Sequence, residues 1–147
     1  MHISKKIKTL FPALSTIKSD KSLSNNLNGA SGLFFLEDTL YIANTDNNYI
    51  SQLENGKLSV YSGFMDNIES HNRSGSGYVD DLLLTSYYNS PTALCIDNGT
   101  MYIVDSKNNS IRIITEDDKV LTLAGNALSK PIAMVWAQML VLITLLV

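Results

Sequence analysis

Residues 39–63 and 100–125 are two versions of one pattern, and this duplication limits the fold more than any other property of the chain. Thr39-Leu40-Tyr41-Ile42-Ala43-Asn44 aligns with Thr100-Met101-Tyr102-Ile103-Val104-Asp105, and in the same register Asn47, Asn48 and Ile50 align with Asn108, Asn109 and Ile111. One inserted residue later, Gly56-Lys57-Leu58-Ser59-Val60-Tyr61-Ser62-Gly63 aligns with Asp118-Lys119-Val120-Leu121-Thr122-Leu123-Ala124-Gly125. Ordered matches of this kind mark one piece of supersecondary structure used at least twice, each unit burying its faces against its neighbours.

The second copy divides into four short apolar runs. Leu94-Cys95-Ile96 stops at Asp97-Asn98-Gly99, where glycine can take positive φ. Met101-Tyr102-Ile103-Val104 is closed by Asp105 to Asn109, residues that bond local backbone and tolerate left-handed geometry. Ile111-Arg112-Ile113-Ile114 follows, then the acidic turn Glu116-Asp117-Asp118, then Val120-Leu121-Thr122-Leu123. Each run is too short for a helix and rich in β-branched or aromatic residues, so strands are predicted. Four short antiparallel strands per repeat describe a propeller blade.

Pro91-Thr92-Ala93-Leu94, Met101 to Ser106, Asn108-Asn109-Ser110-Ile111 and Leu121-Thr122-Leu123-Ala124-Gly125 together resemble the NHL repeat of β-propeller proteins. Gly77-Tyr78-Val79-Asp80-Asp81 with Tyr88-Asn89-Ser90-Pro91 resembles that family's inter-blade segment, with Asp81 where a glycine is usual. The first copy departs at Ala30, in place of the proline, and at Asn44, in place of the aspartate.

The resemblance implies an all-β fold: an incomplete β-propeller of four-stranded antiparallel NHL-like blades with an apolar C-terminal tail. Its parts are an N-terminal segment (1–27), repeat 1 (28–63), an inter-blade loop (64–88), repeat 2 (89–125) and the tail (129–147). The function it implies is a non-catalytic module for binding protein or another ligand. Lactonase- or lyase-like propellers, the catalytic alternative, hold a metal with ligands converging from several blades, and this chain provides too few. RNA binding would call for a basic face. Here Arg73, Arg112 and scattered lysines are diluted by acids, and the net charge is -3.

Individual residues give no assembled chemistry. His2 and His71, the two histidines, are far apart in sequence, which argues against a histidine-based metal or catalytic cluster. Cys95 aligns with Phe34 and reads as a buried strand residue. Asn44-Thr45-Asp46-Asn47-Asn48 and Asp97-Asn98-Gly99 carry oxygen ligands but lack the glycine and terminal glutamate of an EF-hand loop, so turn chemistry explains them. The acceptor triplets at Asn72, Asn98 and Asn108 read as coincidental in an asparagine-rich chain. No catalytic residue, metal ligand or cofactor is therefore expected, and the binding residues are unassigned.

The two ends carry competing readings. Lys5, Lys6, Lys8, Lys18 and Lys21 with few acids suit a transit peptide, whereas Lys6 to Leu10 matches Lys119 to Leu123 and suits the outer strand of a preceding blade. Residues 64–86, with His71-Asn72-Arg73-Ser74-Gly75-Ser76-Gly77, lack periodicity and are expected to be a mobile surface loop. The uncharged run 132–147 would reach about 24 Å as a helix, short of a bilayer core of about 30 Å. It reads either as a membrane segment, with membrane association through 131–147, or as the start of a third blade. For the blade, Pro131 to Val135 resembles Pro91 to Cys95 and Met139 to Leu142 resembles Met101 to Val104. Without the anchor a cytoplasmic location is expected. Two blades cannot close a ring of about four to eight, so self-association, a protein partner or a longer chain is expected to complete it.

Overall fold

Two-residue turns with consecutive positive φ set the register of both sheets. In the computed structural model, which describes residues 27–65 and 75–126, Asn55 and Gly56 have φ of 50° and 76°, and Asn98 and Gly99 have φ of 46° and 80°. This is the backbone that a tight hairpin between right-twisted strands requires. The strands are β1 (Ala30–Leu36), β2 (Thr39–Asn44), β3 (Tyr49–Glu54), β4 (Lys57–Ser62), β5 (Asp81–Leu82), β6 (Pro91–Asp97), β7 (Thr100–Asp105), β8 (Ser110–Ile114) and β9 (Lys119–Gly125). The fold is all-β: one antiparallel sheet runs β1-β2-β3-β4 and the other β5-β9-β8-β7-β6.

The duplication extends to backbone irregularities. A single 3-10 turn, Thr45–Asn47, leads to Asn48 in the left-handed region, and Ser106–Asn108 leads in the same way to Asn109. Register shifts fall between Ala30 and Gly32 and between Pro91 and Ala93. A second pair falls between Ile50 and Ser51 and between Ile111 and Arg112. A bulge bends and twists its strand locally, so bulges at equivalent places give the two sheets the same curvature.

Alternation then decides what is buried. In the second sheet the cross-strand rows Leu94–Ile103–Arg112 and Ile96–Met101–Ile114–Val120 lie on one face, called here the Leu94 face. It packs on the Phe34 face of the first sheet. The core between them joins Ala43 and Ile50 to Leu94, Met101, Ile103, Ile114, Val120 and Tyr88, with Phe34, Tyr41 and Tyr61 packed against it. Each fully buried aliphatic side chain here contributes about 1.5–3 kcal/mol. β1 and β6 run close together, since a Cβ on Gly32 would lie 2.7 Å from Thr92 O and 2.8 Å from Ala93 Cα. Polar groups line the same seam. Thr45 Oγ1 donates to Pro91 O at 2.7 Å, Ser31 Oγ to Thr92 O at 2.9 Å, and Ser90 N to Asn48 Oδ1 at 2.9 Å.

Two expectations need correcting. The strands run longer than their apolar centres; β6, for example, spans Pro91–Asp97 rather than Leu94 to Ile96, because ladder hydrogen bonds extend into the polar flanks. The connection expected to be a mobile loop over 64–86 is built in along its second half. Asp81 and Leu82 form β5 on the edge of β9, Val79 bridges Tyr87, and Ser86 and Tyr88 are fully buried. The second sheet therefore has five strands, not four. The N–H groups of Gly63 and Phe64 donate to Leu83 O and Ser86 O at 2.7 and 2.8 Å, which satisfies backbone that a free loop would leave to water. The matched segment Lys6 to Leu10, the residues His2, His71, Asn72 and Arg73, and the tail 131–147 lie outside the described residues. Among the described residues no helix is long and apolar enough to cross a membrane.

Candidate functional site

The most heavily built polar site is centred on Arg112. Its place on β8, opposite Ile103 on β7 and Thr122 on β9, aims the side chain into the Leu94 face, where the residue is fully buried. A guanidinium in such a place needs acceptors for its donors. Nη1 donates to Asp105 Oδ2 and to Tyr87 O, both at 3.0 Å. Nη2 donates to Asp80 Oδ1 at 2.6 Å and to Val79 O at 2.8 Å. The Tyr78 and Tyr88 rings lie 5.0 and 5.3 Å from the guanidinium carbon, close enough for cation–π attraction. Nε and the neighbouring Ser110 Oγ are buried without a hydrogen-bond partner among the described residues.

The two carboxylates hold different environments. Asp105, at the end of β7, is fully buried and accepts from Asn89 N at 2.7 Å and from Asn108 Nδ2 at 2.8 Å. Burial pushes its carboxyl above the usual aspartate range, opposed by the Asn89 N–H, the Asn108 amide and Arg112. Asp80 is partly exposed and also accepts from Thr122 N and Thr122 Oγ1, at 2.9 and 3.0 Å, which ties the connector to β9. The Nη groups of Arg112 are therefore turned entirely onto protein acceptors. Chemically the cluster is a latch that holds residues 78–88 against β7, β8 and β9.

A hydroxyl pair joins the latch to the first sheet. Tyr88 OH and Ser62 Oγ lie 2.8 Å apart, and burial raises the Tyr88 phenol from 10.0 to about 12. Deprotonating it would place a charge in the core.

The residues singled out from sequence are scattered by the fold. Cys95 sits on β6, half-buried, its thiol pushed up by burial and then by Asp97. Asn98 is exposed at the β6–β7 turn, so its acceptor triplet is accessible, whereas Asn108 is buried with its amide donated to Gly77 O and Asp105. Asn44 is buried, Asp46 is exposed, and Asn48 bonds across the seam, so the Asn44 to Asn48 stretch does not converge on one point. Among the described residues no three His, Cys, Asp or Glu side chains gather closely enough to hold a metal ion. Arg112, counted by sequence among the scattered basic residues, is removed from the surface altogether.

Asp80, Tyr78 and Tyr88 were missed as parts of a site. Their one signal was the Gly77 to Asp81 lead-in, which reads only as a connection until β8 and β9 are placed beside it. No protein-family model matches this chain, and no curated protein matches it.

Proposed function

We propose that the chain is a non-catalytic NHL-like propeller module for binding protein or another ligand, and that its two sheets are successive blades of a ring completed by further blades. The observation that carries this reading is the repetition of one four-stranded meander with equivalent bulges and equivalent left-handed asparagines, stacked with β1 beside β6. Units of one shape, each packed on the next through the same pair of faces, generate a ring when the rotation between them closes. Arg112 supports the same reading, because it spends its donors on fixing the connector that carries the chain from one sheet to the next. The proposal makes the loop-bearing ends of the ring the binding surface, a placement common for functional residues on rigid scaffolds.

Electron microscopy of the full-length chain tests the architecture. Ring-shaped particles with a central channel are expected. Folded, uniform particles that hold only the two stacked sheets would refute it.

A further inference from the structure

The interface between the sheets uses one face of each, and the duplication repeats both faces on the outer sides of the described pair of sheets. On the first sheet the repeat of the Leu94 face carries Leu33, 64% exposed where its equivalent Leu94 is 7% exposed. Ile42 and Ser51 at the centre of that Leu33 face are buried, so the open part is its β1 border, with Phe35 beside Leu33. On the second sheet the repeat of the Phe34 face carries Cys95, Tyr102 and Ile113, half-buried, with Leu121 and Leu123 41% and 54% exposed.

This open Cys95 face is more apolar than the covered face it copies. Ile113 stands where the first sheet has Gln52, and Leu121 where it has Ser59. Apolar side chains clustered in this way mark an interaction surface rather than a solvated one. The seam chemistry is kept as well. Ser31 and Thr45, which donate across the internal seam, are repeated by Thr92 and Ser106. The Ser62–Tyr88 hydroxyl pair is repeated by Ala124 and Leu27, both exposed, so a polar match becomes an apolar one.

We infer that a second copy of this chain is the partner: the Leu33 face of its first sheet packs on the Cys95 face of the second sheet, continuing between chains the interface already formed within one. The inference rests on the reading of the sheets as successive blades. Such a contact is heterologous, so it propagates until it closes as a ring. One position alters the fit. Ala93 stands where the first sheet has Gly32, and a Cβ at Gly32 would meet β6 backbone at 2.7 Å, so β6 and the incoming β1 must stand further apart than β1 and β6 do within the chain.

Sedimentation velocity on the full chain, with circular dichroism to confirm folding, tests this. The wild type is expected to associate, and Leu33→Lys and Leu123→Lys each to be monomeric. Mixed in equal amounts, the two variants are expected to give a dimer that grows no further, since one keeps the Cys95 face and the other the Leu33 face. A mixture that stays monomeric, or either variant forming a dimer alone, overturns the inference. A wild-type oligomer insensitive to both substitutions overturns it too but leaves the proposed function standing, whereas a folded monomeric wild type overturns both. If either variant loses its fold, Phe35→Lys and Leu121→Lys carry the same test.

Discussion

Where the second sheet buries Asp105 and Arg112, the first buries Asn44 and Ser51. The backbone geometry is shared: Asn28 N donates to Asn44 Oδ1 at 2.8 Å as Asn89 N donates to Asp105 Oδ1 at 2.7 Å. The side-chain pairing differs, since Asn44 Nδ2 donates to Ser51 Oγ at 3.2 Å where the other sheet has an ion pair at 3.0 Å. Volume is exchanged along the strand as well. Tyr49 and Ser51 are large and then small on one face of β3, whereas their equivalents Ser110 and Arg112 are small and then large on β8, and all four are buried. One backbone slot thus accepts either a neutral, ring-filled solution or a charged one. The charged version reaches the connector, through Asp80 and the carbonyls of Val79 and Tyr87.

That contrast ranks the expected effects of substitution. Arg112→Ser removes one side of a buried pair and should cost about 3–5 kcal/mol in urea denaturation, because Asp105 stays buried without its cationic partner. Adding Asp105→Asn and Ser110→Tyr transplants the first sheet's solution into the second. It should recover a large part of that loss, with a coupling of about 0.5–3 kcal/mol, and no recovery would mean that the two slots are not equivalent. Gly32→Ala presses a methyl onto β6 backbone and should cost about 1–3 kcal/mol. The reciprocal Ala93→Gly should cost only about 0.5–1 kcal/mol, from added chain freedom.

Tyr88 extends the comparison to pH. Its equivalent in the first repeat is Leu27, which is exposed and does not titrate. Because the folded pKa of Tyr88 is raised from 10.0 to about 12, its contribution to stability is complete below pH 10. Above that the unfolded chain ionises first, and stability falls by about 1.4 kcal/mol per pH unit until the folded phenol ionises too. Tyr88→Phe should cost about 1 kcal/mol at neutral pH, through loss of the Ser62 partner, and should flatten the alkaline slope measured by thermal unfolding. It should not abolish the slope, since burial also raises Tyr41, Tyr49 and Tyr61.

Much of this scaffold was legible in the chain because turn residues act locally. Asn98, Gly99 and Asn109 declare their left-handed backbone by residue type, the asparagines through side chains that bond local backbone and the glycine through its missing Cβ, and the apolar runs mark the strand centres. The Arg112 cluster was not legible for the opposite reason. Arg112 and Asp80 are 32 residues apart, and an arginine in an alternating strand reads as the solvent side. β5 was hidden likewise, because two residues without periodicity become a strand only where β9 offers an open edge. The seam bond from Ser90 N to Asn48 Oδ1 joins residues 42 apart, one read as part of a turn and the other as part of the inter-blade segment.

The pairing of β5 with β9 also sets an order of assembly. Among the described residues the first sheet is a meander of hairpins, β1 to β4 in chain order, so its ladders can form one after another as the chain leaves the ribosome. The second sheet is belted: Leu82, at its start, pairs with Lys119, close to its end. That contact closes a long loop, whose entropic cost falls due before the pairing stabilises anything. Until β9 has emerged, β5 has no strand to pair with and Arg112 lacks the Asp80–Thr122 side of its cage. The pairing of β1 to β4 can therefore be completed during synthesis, while the second sheet closes its belt in a single late step.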